Sequence, residues 1–129
     1  MSLDSPKRIL IAEDEMALRE LYVSVLRGAG FEVVMAADGE EADAELKKQI
    51  PDILLLDILM PKLTGIELLQ RLKDQHRLAA IPKIVMLTNL TDDAKIAEAV
   101  TFGIRGYLVK SNFTPDTLII EVQKYLEAA

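Results

Sequence analysis

One stretch near the middle of the chain, Pro51 to Gly65 (PDILLLDILMPKLTG), limits the possible folds most tightly. Ile53, Leu54, Leu55, Leu56 and Ile58 surround a single carboxylate, Asp57. A near-continuous run of Ile and Leu fits a strand covered on both faces, as in a parallel sheet. An ionised Asp inside such a strand is costly unless it is paired or bound to metal. It is tolerated at the strand's carboxyl end, where open α/β sheets keep their ligand crevice. Pro61 and Gly65 follow closely, so Asp57 falls where strand gives way to loop. Taken alone, the stretch also fits an Asp that merely ends a strand or caps a turn. The ends of the other strands decide.

The first of these, Arg8 to Glu13 (RILIAE), is a short apolar run ending in acid. Glu13, Asp14 and Glu15 stand together, and Leu18, Leu21, Tyr22, Val25 and Leu26 then recur at helical spacing. Asp14 is placed to cap that helix, and Gly28 and Gly30 to stop it. Phe31 to Ala36 (FEVVMA), interrupted by Glu32, reads as an edge strand. Asp38 and Glu41 have capping-box spacing and open a short helix to about Gln49. After Asp57, Thr64 and Glu67 repeat that spacing, with Leu63 and Leu68 as a hydrophobic staple, for a helix to about His76. Lys83 to Thr88 (KIVMLT) is a fourth strand; Thr91, Asp92 and Asp93 start a helix that ends near Gly103. Gly106 to Lys110 (GYLVK) is a fifth strand ending in a cation. Thr114 and Pro115 open a last helix, with Leu118, Ile119, Val122, Tyr125 and Leu126 on its apolar stripe. Ile120 falls off that stripe and marks a candidate contact surface. His76, in a polar stretch, reads as a surface residue.

Five strand–helix pairs in regular alternation predict an α/β fold, one parallel sheet with helices on both faces and right-handed crossovers. With no linker or low-complexity segment, residues 1–129 read as a single domain, its core spanning about 7–128. In a parallel sheet the carboxyl ends share one side, which gathers Glu13 and Asp14, Asp57, Thr88 and Lys110. Three neighbouring carboxylates repel one another, by about 4 kcal/mol per pair at 4 Å in an effective dielectric near 20. One Lys cannot neutralise three acids, whereas a hard divalent cation such as Mg²⁺ can. A phosphoryl group on Asp57 would use that cation together with the ammonium of Lys110 and the hydroxyl of Thr88. An Asp carboxylate accepts phosphoryl groups as an acyl phosphate. These residues therefore point to Mg²⁺-assisted phosphoryl transfer to Asp57.

The segments IAEDE, LLLDILMP, MLTN and GYLVK, in that order and spacing, resemble the receiver domain of bacterial two-component response regulators. The resemblance runs from about Arg8 to the last helix. It implies a flavodoxin-like (βα)5 three-layer sandwich with a five-stranded parallel sheet of order 2-1-3-4-5. It also implies that Asp57 takes phosphate from a sensor histidine kinase or a histidine phosphotransfer protein. Asp14 would then ligate Mg²⁺ (or Mn²⁺) directly and Glu13 through water, with Asp57 and the backbone carbonyl of Leu59 as further ligands. Lys110 would hold first the carboxylate and then the phosphate, Thr88 would swing to the phosphate, and Tyr107 would rotate inward behind it. The face formed by the fourth helix, fifth strand and fifth helix would change shape and act on an output partner or domain, or form a phosphorylation-dependent homodimer.

Three positions depart from the family pattern. Ser111 stands where many receivers have a Pro after the Lys, so a trans Lys110–Ser111 peptide is expected. Asn89 replaces a small residue after Thr88. Leu59 and Leu90 occupy the positions that tune phosphate loss, and two apolar side chains cannot orient an attacking water, which predicts slow autodephosphorylation. Other readings of an Asp-centred α/β chain are a phosphatase of the haloacid dehalogenase type, a flavodoxin-like cofactor binder and a degenerate receiver used only for contact. The first needs a second Asp where Leu59 stands, and the second needs a Gly- or Ser/Thr-rich loop after the first strand. The third is disfavoured by the intact set of five site residues. A net charge of −6 opposes binding to nucleic acid or anionic lipid. No apolar run approaches the length that spans a bilayer. The absence of Cys removes disulfide and thiolate chemistry and is compatible with a cytoplasmic location.

Overall fold

A computed structural model describes residues 6–89 and 93–128. The strands are β1 (Arg8–Ala12), β2 (Glu32–Ala36), β3 (Ile53–Asp57), β4 (Ile84–Thr88) and β5 (Gly106–Val109). They alternate with helices α1 (Met16–Gly28), α2 (Gly39–Lys48), α3 (Gly65–Asp74), α4 (Asp93–Val100) and α5 (Pro115–Glu127). All strand pairs are parallel, in the order β2-β1-β3-β4-β5. This is the flavodoxin-like arrangement expected from the sequence.

The apolar runs are continuous because successive side chains feed two different cores. Leu10, Leu54, Leu56, Ile84 and Met86 pack on one face with Ala42 and Leu46 of α2, Leu68, Leu69 and Leu72 of α3, and Ala99 of α4. Ile9, Ile11, Ile53, Leu55, Val85 and Leu87 pack on the other with Tyr22, Val23 and Leu26 of α1 and Leu118 and Val122 of α5. The central strand β3 is buried along its whole length. β2 is an edge strand, as its interrupting Glu32 foretold, and β5 is the opposite, half-exposed edge.

Helix starts follow the sequence signals at three of the five helices. Thr64 and Glu67 form a complete capping box on α3, and the staple residues Leu63 and Leu68 are buried in the same core. Thr114 caps α5 with Pro115 in its first turn. Asp38 accepts from the Glu41 N–H at 2.8 Å, but the Glu41 carboxylate takes the Ala37 N–H instead of closing the box on Asp38. At α1 the expectation fails. The N-cap is Glu15 and makes no side-chain cap hydrogen bond. Asp14 lies one residue outside the cap, so its side chain is left available to the acidic cluster. The Thr91 cap expected for α4 lies outside the described residues. α3 and α4 are slightly shorter than the periodicity predicts. His76 follows α3 in left-handed backbone (φ 57°), and its side chain is exposed, as expected of a surface residue. Among the described residues there is no cis peptide bond, so Lys110–Ser111 is trans.

Candidate functional site

Strand register sets the site. Ala12 pairs with Leu56, so Glu13 and Asp57, the next residues on the two central strands, end at one level. Asp57 pairs with Leu87, placing Thr88 one step further along, and Thr88 pairs with Val109, just before Lys110. The crevice therefore opens where β1 and β3 diverge to opposite sides of the sheet order, the usual ligand position in doubly wound folds.

Glu13, Asp14 and Asp57 each bring one carboxylate oxygen within 4.8 Å of the others, an arrangement able to hold a metal ion. Their environments differ. Glu13 is fully buried, Asp57 is 4 % exposed, and Asp14 faces solvent. The Lys110 Nζ donates to Asp57 Oδ2 at 2.9 Å and forms an ion pair with Glu13 as well. The Leu59 N–H lies 3.2 Å from Asp57 Oδ1, so both carboxylate oxygens of Asp57 accept hydrogen bonds. The Leu59 side chain is exposed. Thr88 is buried at the end of β4, and the Tyr107 ring on β5 is half exposed.

The charges do not balance. Burial pushes the Asp57 carboxyl up to about 7, against the pull of Lys110 and with help from the Glu13 charge. Burial also works against the Lys110 ammonium, but its hydrogen bonds to Glu13 and Asp57 outweigh that and hold it above its ordinary value. A carboxyl at about 7 beside a firmly protonated Lys still lacks positive charge. Oxygen donors only, one of them open to solvent, suit a hard divalent cation that keeps part of its water shell.

The backbone around Asp57 is tightly built. A Cβ on Gly65 would stand 2.3 Å from the Asp57 carbonyl oxygen, so the first residue of α3 has to be Gly for the helix to approach the strand end. The Gly65 N–H donates to the Ile58 carbonyl at 2.9 Å, closing the β3–α3 loop. The sequence marked Gly65 only as a loop residue. It also gave no sign of Arg19, whose guanidinium donates to the Glu13 carbonyl at 2.9 Å and lies 3.4 Å from the Asp14 carbonyl. The available signal was the spacing, since Arg19 follows the acidic pair by about one helical turn.

A sequence profile described as the response regulator receiver domain matches residues 9–123. The chain belongs to the response regulator receiver family. Among relatives of this receiver, a probable transcriptional regulator, ycf27, of Cyanophora paradoxa is 38% identical over 120 residues, covering 93% of this chain and 48% of that protein. The phosphate regulon transcriptional regulatory protein PhoB of Rhizobium meliloti is 35% identical, covering 95% and 53%. The receiver thus spans about half the length of these relatives. Among solved structures, the chemotaxis response regulator CheY4 of Vibrio cholerae superposes with a TM-score of 0.82 at 34% identity, covering 93% of this chain and 98% of that one. A putative response regulator of Chloroflexus aurantiacus gives a TM-score of 0.81 at 37% identity, covering 95% and 99%. Family membership sets aside the phosphatase and flavin-binder readings.

Proposed function

We propose that this receiver is a phosphoacceptor switch in which Asp57 takes a phosphoryl group from a phosphohistidine. The single observation that supports this most is the Asp57 carboxylate, which sits at the end of the central strand, held by Lys110 and drawn together with Glu13 and Asp14. An Asp57 carboxylate oxygen attacks phosphorus, the phosphorus–nitrogen bond of the donor imidazole breaks, and the imidazole leaves with a proton from solvent. Lys110 already holds the oxygen that becomes the ester linkage and neutralises charge on the transferring group. Asp14 and Asp57 would hold Mg²⁺ (or Mn²⁺) directly, Glu13 through water, and the Leu59 carbonyl would complete the protein ligands. When bound, that cation supplies the positive charge that the three carboxylates and the phosphoryl oxygens require.

Thr88 donates its hydroxyl to the new phosphate, and Tyr107 turns inward from its half-exposed position. The phosphate selects one of two arrangements of the α4–β5–α5 face through contacts made in only one of them. The phosphodonor is a sensor histidine kinase or a histidine phosphotransfer protein. The receiver is a signalling component rather than a turnover enzyme, although its own residues assist phosphorylation and phosphate loss. It works in the cytoplasm; among the described residues no helix is long and apolar enough to cross a membrane. The output is a further domain or a separate partner, and the acidic receiver itself does not touch nucleic acid. A phosphorylation-dependent homodimer through the α4–β5–α5 face is one form that output takes.

The test is intact mass after incubation with acetyl phosphate, for the native chain and Asp57→Asn, with Mg²⁺ and with chelator. One added phosphoryl group that needs both Mg²⁺ and Asp57 is expected. No adduct in a folded native sample, with acetyl phosphate or with a phosphorylated histidine kinase, contradicts the proposal.

A further inference from the structure

Glu13 and Asp14 are consecutive, and consecutive side chains on an extended chain point to opposite sides. Their carboxylates approach each other and Asp57 within 4.8 Å only because the chain turns sharply after β1. Nothing at the start of α1 explains that turn in the usual way, because the N-cap residue Glu15 contributes no side-chain hydrogen bond. The turn is held by two other contacts. The Glu15 N–H donates to Glu13 Oε2 at 3.1 Å, folding the Glu13 side chain back over its own loop. From the first turn of α1, one guanidinium nitrogen of Arg19 reaches back to the Glu13 carbonyl at 2.9 Å and the Asp14 carbonyl at 3.4 Å. The Arg19 backbone is anchored in turn by its N–H to the Glu15 carbonyl at 2.9 Å. Arg19 thus grips the peptide units that carry both acidic side chains while its charged head stays out of the carboxylate cluster.

We infer that Arg19 is a positioning residue for the divalent cation, which it serves by bridging the Glu13 and Asp14 carbonyls and fixing the turn that aims both carboxylates at Asp57. The inference rests on the reading that this cluster holds such a cation. It has an unusual sign. A positive charge near a cation site repels the cation, so if Arg19 acted by charge alone, removing it would tighten Mg²⁺ binding. If it acted only as a helix stabiliser, its loss would lower stability and leave affinity unchanged. A positioning role predicts the opposite of the first and more than the second.

The experiment is calorimetric titration of Mg²⁺ into the native chain, Arg19→Lys and Arg19→Met, with thermal unfolding of each in chelator. Loss of a group that orients metal ligands costs about 10–100-fold in affinity. Arg19→Met is expected at the lower end of that range. Arg19→Lys, which keeps a donor and the charge but loses the fixed planar fork, is expected to fall between Met and native. The amide resonance of Glu15 in a ¹H–¹⁵N spectrum is expected to broaden in the Met variant while those of the central strand stay in place. Native and Arg19→Met binding Mg²⁺ equally, or Arg19→Met binding it more tightly, overturns the inference and leaves the phosphoacceptor reading intact. A native chain that binds no Mg²⁺ overturns both. If Arg19→Met does not fold, the Lys variant decides, since native-like affinity in it with a lost Glu15 contact overturns the inference.

Discussion

Replacing Asp57 by Asn is expected to stabilise the protein in the absence of divalent cation, and only above neutral pH. Burial pushes the Asp57 carboxyl up to about 7, where an ordinary Asp has 3.8. The sign follows from proton linkage. A carboxyl raised in the folded state contributes stability that is fully present below its unfolded value and lost as pH rises through its folded value. The native chain therefore gives up this contribution between about pH 4 and about pH 7 to 8. About three pH units at about 1.4 kcal/mol each set a ceiling of about 4 kcal/mol. Asp57 shares its charge with Glu13 and Lys110 and is not wholly shut from water, so roughly half that ceiling, about 2 kcal/mol, is a fair expectation. For a chain of this size that is roughly 8 °C in melting temperature. Asn keeps the shape and an oxygen for Lys110, so packing changes little. Thermal unfolding by circular dichroism in chelator should show the variant above the native protein at pH 8 and level with it near pH 5, with Mg²⁺ narrowing the gap at pH 8. A variant less stable than native at pH 8 in chelator, or a gap of equal size at both pH values, would refute the reasoning.

Other consequences are local. Gly65→Ala forces a Cβ to 2.3 Å from the Asp57 carbonyl oxygen, where the backbone cannot yield cheaply; a loss of about 1–3 kcal/mol in chemical denaturation is expected, with weaker Mg²⁺ binding. Lys83 Nζ donates to the carbonyls of Tyr125, Leu126 and Ala128 at 2.6, 2.8 and 2.7 Å and so closes the end of α5. Lys83→Met should cost about 1–2 kcal/mol and speed hydrogen exchange in the last turn of that helix. Burial raises the Asp43 carboxyl, but hydrogen bonds from Arg77 and Arg71 outweigh it and hold it below the usual range. Its contribution is therefore present above the ordinary value and lost as pH falls through the folded one, so the stability gap between native and Asp43→Asn should shrink in acid titration below about pH 4. Acyl-phosphate decay on the native chain should be slow and should quicken in Leu90→Glu; Leu90 itself lies outside the described residues.

The sheet was legible because burial on both faces writes itself into sequence as unbroken apolar runs, β3 above all. The caps at Thr64 and Thr114 were legible because a capping box is a local pattern of side chains on neighbouring backbone. The start of α1 was not. Asp14 has the right chemistry for a cap, but the carboxylate cluster claims its place, and the turn is held by Glu13 and by an arginine acting on backbone carbonyls. Such contacts leave no residue pattern, since every residue but Pro offers the same peptide groups. Lys83 was missed for the same reason, as its partners are carbonyls 42 to 45 positions away. The convergence of Glu13, Asp14, Asp57 and Lys110 could be read, because parallel strands place their ends together. That Lys110 bridges Glu13 as well as Asp57 could not, since only the strand register brings them to one level.

The central claim is that Asp57 is the atom-level acceptor, and the most direct measurement is chemical mapping of the phosphorylated protein. Acyl phosphates are reduced by borohydride to the corresponding alcohol, so a phosphorylated Asp is read as homoserine in peptide mass spectrometry. The account predicts homoserine at position 57 after treatment with acetyl phosphate and Mg²⁺, and none at Glu13, Asp14 or elsewhere. Phosphate found on another residue, or homoserine formed at Asp14 with Asp57 unchanged, would contradict it.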